Sequence, residues 1–193
     1  MQNLFGLTSN QIATAILPLG LKPFRAQQIY HWVYAKGVTS FAKMSNISQI
    51  EQQLLQQNFT LHLPQISQCQ SSRDGTQKWL LKLEDTHEIE CVHIPERSRG
   101  TLCVSSQIGC TLTCRFCHTG TQRLVRNLTP AEILAQVYIA RTLFNDWNCL
   151  QGQRPHLTHI VFMGMGEPFF NYDNVAQAIR MLMDPKGLAI PKR

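Results

Sequence analysis

Three cysteines, Cys110, Cys114 and Cys117, lie close together in Gly109-Cys110-Thr111-Leu112-Thr113-Cys114-Arg115-Phe116-Cys117-His118. Three thiolates at these spacings make a short loop that can wrap one [4Fe-4S] cubane, and three protein ligands leave one of its four irons open. An open iron can chelate a substrate or cofactor, which a fully ligated electron-transfer cluster cannot do. Two plainer readings compete. A structural zinc ion wants four Cys or His ligands, usually in two spaced pairs; no second Cys-x2-Cys occurs, and His118 would have to complete the set within a cramped loop. A disulfide framework needs an oxidising compartment. The opening Met1-Gln2-Asn3-Leu4-Phe5-Gly6-Leu7 has neither the basic segment nor the apolar run of a secretory signal, which predicts a cytoplasmic protein. The spacing therefore predicts the cluster.

The elements that must hold this loop follow from periodicity. At 193 residues and 44% hydrophobic content the chain can bury a core in one domain or two small ones. No apolar stretch is long enough to cross a bilayer, and the formal charge of +6 suits a polyanion such as RNA without requiring one. Residues 1–62 read as a helical accessory domain with an RNA-contacting role open to it. A short helix over 9–17 stops at Pro18, a second runs over 24–36 with Ala26, Ile29, Tyr30, Val33 and Tyr34 on one face, and a third follows Ser45 through Ile47, Ile50, Leu54 and Leu55. Residues 63–100 read as a β-hairpin or linker segment, with strands over 77–83 and 88–94 joined by a turn at 84–87. A strand over 101–107 then runs into the cysteine loop.

Beyond the loop, Thr129-Pro130-Ala131-Glu132 is a helix start with a capping box, and Ile133, Val137, Ile139 or Ala140, and Leu143 form its buried side. An apolar strand over 157–163, the turn Gly164-Met165-Gly166-Glu167-Pro168 and a helix over 174–183 follow. Strand, helix, strand and helix in this order predict an α/β fold with parallel strands and helical crossovers. Ligands in such folds bind beyond the carboxyl ends of the strands, where the cysteine loop and the 164–167 turn both fall. Cys69, Cys91 and Cys149 stand in no motif and read as packing residues.

The Cys-x3-Cys-x2-Cys spacing with Phe116 before its last cysteine resembles the radical S-adenosylmethionine (SAM) superfamily. Further segments narrow the resemblance: Phe24-Arg25-Ala26-Gln27-Gln28, Asp74-Gly75-Thr76-Gln77-Lys78-Trp79, Leu102 through Cys110, Arg126-Asn127-Leu128-Thr129, Gly152-Gln153-Arg154-Pro155 and Met163 through Pro168 are similar to the RlmN/Cfr group of radical SAM RNA methyltransferases. RlmN-type members methylate C2 of adenine in 23S rRNA and in certain tRNAs. That carbon is no nucleophile, so the family uses radical chemistry by way of a methylated cysteine near its C-terminus. The resemblance implies a [4Fe-4S] cluster held by Cys110, Cys114 and Cys117, SAM contacted by Gly166 and Glu167, Glu90 as proton acceptor, and Cys103 as the thiol that resolves the protein–RNA crosslink. Without it, Glu90 is an exposed strand carboxylate and Cys103 a buried strand thiol. It also implies an external one-electron reductant of flavodoxin or ferredoxin type.

In fold, it implies that residues 101–193 carry the first βα units of a partial (β/α)6 barrel. The methyl-carrying cysteine has no counterpart, and Cys149 matches nothing in the family pattern. The expectation is therefore an N-terminal half of such an enzyme, inactive alone, with a separately encoded second half as one conceivable partner. The alternative is a non-catalytic RNA-binding remnant.

Overall fold

The computed structural model describes residues 1–147 and 155–191. Cys149, most of the segment 152–155, and the last two residues lie outside that description. The chain divides into two compact units, one formed by residues 1–63 with those from 180 onward, the other by residues 64–179.

In the first unit, helix α1 (Ser9–Ile16) starts at Thr8, whose hydroxyl accepts the Gln11 N–H while the Gln11 side chain accepts the Thr8 N–H. Pro18 follows at once and turns the chain into a single 3-10 turn. Helix α2 (Phe24–Tyr34) buries Ala26, Ile29, Tyr30, Val33 and Tyr34, the face its spacing predicts. Helix α3 (Gln49–Asn58) begins after a second capping box, Ser48 with Glu51. Ile50, expected inside, is 80% exposed. The helix starts later than its apolar pattern suggests, so its inner line runs through Glu51, which pairs with Arg25 at 2.7 Å, and the buried Leu55. Strands β1 (Gln2–Asn3) and β2 (Phe59–Thr60) pair in parallel and tie the first residues to the end of α3.

The second unit is built on one five-stranded mixed sheet. Its strands are β3 (Gln65–Ser71), β4 (Gln77–Lys82), β5 (Glu88–Pro95), β6 (Gly100–Cys103) and β9 (His159–Val161), adjacent in the order β3-β4-β5-β6-β9. The first three pairings are antiparallel and β6–β9 is parallel. Residues 63–100 are thus no separate hairpin, because β5 pairs directly with β6 and extends the same sheet. A small antiparallel ladder, β7 (Gln107–Ile108) with β8 (Arg126–Asn127), precedes helix α4 (Pro130–Leu143).

The strand expected over 101–107 breaks after Cys103, since the next backbone groups bond elsewhere: Ser105 N–H to the Gln136 side chain and Ser106 N–H to Met165 O. On α4, the capping box of Thr129 and Glu132 forms with Pro130 in the first turn, and every residue from Ile133 to Ala140 is buried. Leu143, expected inside, is exposed because the cover ends at Ala140. Strand β9 is shorter than the apolar run 157–163, and helix α5 (Tyr172–Met183) starts two residues before the expected position.

Alternation sorts the sheet into two faces. Trp79, Leu81, Ile89, Cys91, Leu102 and Val104 are buried on one, where Trp79 also meets Phe144. The other face carries Lys78, Leu80, Glu90, Val92, Cys103 and Val161, all of intermediate burial. No helix among the described residues is long and apolar enough to cross a membrane.

Candidate functional site

The site is assembled where β6 leaves the sheet. Residues 105–107 meet the 164–167 turn through a dense set of bonds. Ser106 and Gln107 both donate their backbone N–H to Met165 O, at 2.8 and 3.1 Å, and the Ser105 hydroxyl accepts the Met165 N–H at 2.9 Å while donating to the Glu90 carbonyl at 2.6 Å. The wholly buried Gln136 of α4 clamps Ser105 from behind, accepting its N–H at 2.7 Å and donating to its carbonyl at 2.9 Å. Asn171 donates to the carbonyls of Ser106 and Leu128. At Gly166, φ is +93° and a Cβ would stand 2.4 Å from that of Gln107, so only glycine lets the turn lie this close. Glu167 N–H then donates to Gln107 Oε1 at 2.9 Å, while Glu167 Oε1 accepts the Phe169 N–H at 3.1 Å and caps the 3-10 turn that follows.

The cysteine loop grows from the same strand end. Its neck is the β7–β8 ladder, extended by a bridge between Cys110 and Arg123. Gly109 sits at the crossing with φ +74°, and a Cβ there would meet the Arg123 carbonyl oxygen at 2.1 Å. Farther out, Cys117 N–H bonds the Cys114 carbonyl and Gly120 N–H the Cys117 carbonyl, making a tight 3-10 turn over His118–Thr121. Arg126 fixes the far side of the neck by bonding Asp85 and both carboxylate oxygens of Glu132.

Cys110, Cys114 and Cys117 are free thiols of intermediate exposure. Hydrogen bonding from the Gly120 backbone, with Thr119 in support, holds the Cys117 thiol below its ordinary pKa, and Cys110 Sγ accepts the Leu112 N–H at 3.4 Å. At Cys117 the N–H groups aimed at sulfur favour the thiolate, the form that binds iron. Among the described residues, no group of three or more His, Cys, Asp or Glu could hold a single metal ion, so the three thiols are not gathered onto one point. A zinc ion requires four donors about 2.0–2.3 Å from one centre. A cubane asks for one thiolate at each of three separate irons, and three unbridged, partly exposed thiols on one tethered loop fit it.

Glu90 and Cys103 lie on the half-exposed face of the sheet. The register pairs Val92 with Cys103 and Leu80 with Glu90, so Glu90 stands one same-face step from the position opposite Cys103. Glu90 is ion-paired with Lys78 at 3.0 Å. Burial raises the pKa of Cys103, opposed by a hydrogen bond from the Met163 backbone. Its buried neighbour Cys91 is pushed up to about 12 by burial, with Cys103 and Glu90 adding to the shift. Cys69, read as a packing residue, is instead exposed on β3, whose residues are all exposed. Sequence reasoning did not single out Lys78, Ser105, Gln107, Asn127, Gln136 or Asn171; polar side chains with scattered numbers give no periodic signal, and their common purpose appears only in the bonds.

Residues 2–61 match the family model described as the ribosomal RNA large subunit methyltransferase N-terminal domain. The chain is 50% identical over 191 residues to the dual-specificity RNA methyltransferase RlmN of Rhodospirillum rubrum, covering 99% of this chain and 45% of that protein. Against the RlmN of Granulibacter bethesdensis the identity is 47% over 195 residues, covering 100% and 49%. A crystal structure of a radical SAM methyltransferase from Sphaerobacter thermophilus superposes with a TM-score of 0.84 at 33% identity, covering 97% of this chain and 54% of that one. The chain spans about half the length of the curated relatives it matches.

Proposed function

Since this chain belongs to the RlmN/Cfr group of radical SAM RNA methyltransferases, we propose that its residues hold the [4Fe-4S] cluster and one side of the SAM pocket of an enzyme that methylates adenine C2 in 23S rRNA and tRNA. The observation that carries this reading is the cysteine loop itself, three unbridged thiols on a neck hydrogen-bonded to the same strand end as the 164–167 turn. A cluster with bound SAM supplies the radical chemistry that an electron-poor ring carbon demands.

Each residue then has a task. Cys110, Cys114 and Cys117 ligate iron, and the backbone donors around Cys117 favour its thiolate. Gly166, packed against Gln107 with no room for a Cβ, sets the turn close to the strand end, where its backbone would meet the cofactor and Glu167 would receive the ammonium group of SAM. Glu90 accepts the proton that leaves the adenine carbon, and Lys78 keeps the carboxylate in place at 3.0 Å. Cys103 would lose its proton and attack the sulfur of the methyl-carrying cysteine, the S–S bond forming as the sulfur–carbon bond to the base breaks and the departing carbon takes up a proton, which releases the RNA. Residues 1–62 contribute RNA contacts, and 101–193 the first βα units of a partial barrel. An external one-electron reductant of flavodoxin or ferredoxin type delivers the electron, in the cytoplasm.

None of these 193 residues matches the carrier cysteine, so these residues by themselves are expected to form no 2-methyladenosine. Anaerobic reconstitution with iron and sulfide counting and electron paramagnetic resonance tests the core of the reading. About four irons per chain are expected. Material that takes up zinc but no iron would overturn it, and RNA binding undisturbed by loss of all three cysteines, with no iron bound, would favour a non-catalytic RNA-binding role.

A further inference from the structure

We propose that Gln107 is a positioning residue that sets Glu167 relative to the cysteine loop, with Asn127 as its support. The inference rests on the assignment of Glu167 to SAM.

Gln107 is 1% exposed and lies on β7, three residues before Cys110. It touches both parts of the site. Its backbone belongs to the ladder that closes the loop's neck, opposite Asn127. Its side chain spans the gap to the turn: Oε1 accepts the Glu167 N–H at 2.9 Å, and Nε2 donates to Asn127 Oδ1 at 2.8 Å. Asn127 in turn donates to the Phe170 carbonyl at 3.1 Å, on the far side of Glu167. The turn is thus held twice. Backbone N–H groups of 106 and 107 grip its middle at Met165, while the Gln107 amide grips its end, where the acid sits.

The two holds have different consequences. Losing the amide leaves Met165 bound, so the turn stays docked, yet releases the Glu167 N–H and loosens the backbone from which the carboxylate reaches its cap on the Phe169 N–H. A buried amide with both ends satisfied fixes orientation more tightly than an apolar side chain of equal length, because each bond is directional. The packing of Gly166 against the Gln107 side chain, with no room for a Cβ, sets the approach from the other side.

The test uses the 193-residue chain with Gln107→Met, which keeps length and removes both hydrogen bonds, and Asn127→Asp, which still accepts from Nε2 but no longer donates to the Phe170 carbonyl. The first readout needs no cofactor: amide hydrogen exchange at Glu167, followed by NMR on the chain without iron. Exchange in Gln107→Met should be about tenfold faster or more, with amides at 106, 107 and in α4 unchanged; Asn127→Asp should stay within about threefold of the parent. The second readout is the change in the electron paramagnetic resonance spectrum of the reduced, reconstituted cluster on adding SAM. Gln107→Met should bind the same iron but need about tenfold more SAM for half the change, the size expected when the hydrogen bond to Glu167 is lost.

An unchanged Glu167 exchange rate overturns the proposal. So does loss of cluster together with the SAM response, which would make Gln107 a residue of the loop's folding only. Should the parent chain show no response to SAM, the assignment of Glu167 fails, while the exchange arm still decides whether Gln107 holds the turn.

Discussion

Cys91 and Cys103 in the sheet and Cys117 in the loop show two settings that treat a thiol in opposite ways. Cys91 and Cys103 sit on adjacent strands, and burial raises both, Cys91 to about 12. Cys117 lies in a loop with little side-chain cover, where backbone N–H donors lower its pKa. At Cys91 and Cys103 the sheet keeps sulfur neutral by removing water, whereas at Cys117 the loop favours ionisation by pointing amides at it. Within the sheet a second contrast follows from alternation alone, since Cys91 belongs to the packed face and Cys103 to the half-exposed one. Position within one sheet thus separates a thiol on the packed face from one on the half-exposed face.

The sharpest way to break the comparison is to remove the loop thiols. Cys110→Ala, Cys114→Ala and Cys117→Ala together should take bound iron from about four per chain to none while moving the melting temperature of the iron-free chain by no more than about 2 °C, the size expected for exposed sites. Persistent iron would show that other residues hold it. Next in size is reactivity. With iodoacetamide near neutral pH, Cys117 in the iron-free chain should be alkylated on the order of 100-fold faster than Cys91, read by peptide mass spectrometry.

A third prediction contrasts packing. Leu102→Ala, at a wholly buried site, should cost about 2–5 kcal/mol in urea unfolding, whereas Phe116→Ala, at 94% exposure, should stay within about 0.5 kcal/mol. Equal costs would mean that the loop packs as the sheet does.

The smallest effect is a pH dependence. Folded Cys91 keeps its proton up to about pH 12, while the unfolded chain releases it near the ordinary value of 9.0. Between those values the unfolded chain binds fewer protons. Its contribution to stability is therefore full below about pH 9 and is lost as pH rises toward 12. The raised hydroxyls of Tyr30 and Tyr138 act in the same direction at higher pH. Cys91→Val should flatten the decline, measured by thermal melts from pH 8 to 11.

How much of this was legible in the chain depended on whether a segment's partners were local. The box Thr129-Pro130-Ala131-Glu132 and the turn between β4 and β5 are written in neighbouring residues, and both appear within a residue or two of their expected places. Strand β3 was not foreseen. Its Gln65-Ile66-Ser67-Gln68-Cys69-Gln70-Ser71 has no apolar alternation because both of its faces are exposed. The break after Cys103 was equally hidden, since the groups that draw Ser105 and Ser106 out of the ladder stand 31 and 59 residues away, at Gln136 and Met165. The thiol spacing announced the loop's chemistry, and Gly166 and Glu167 were visible as a turn. The amides and hydroxyls that aim them were not, for a buried Gln or Asn carries no periodic mark.

The crossing of Gly109 with Arg123 has a bearing on assembly. A noose drawn tight at its base has already surrendered most of the wandering that separates its ligands, because the entropy of closing the ring is lost when the neck zips during folding. On the proposed cluster assignment, inorganic sulfide and iron would meet sulfurs leashed to a short arc, at a local concentration set by the tether. Any side chain at position 109 would pry the knot open and leave the metal to gather its ligands from solution.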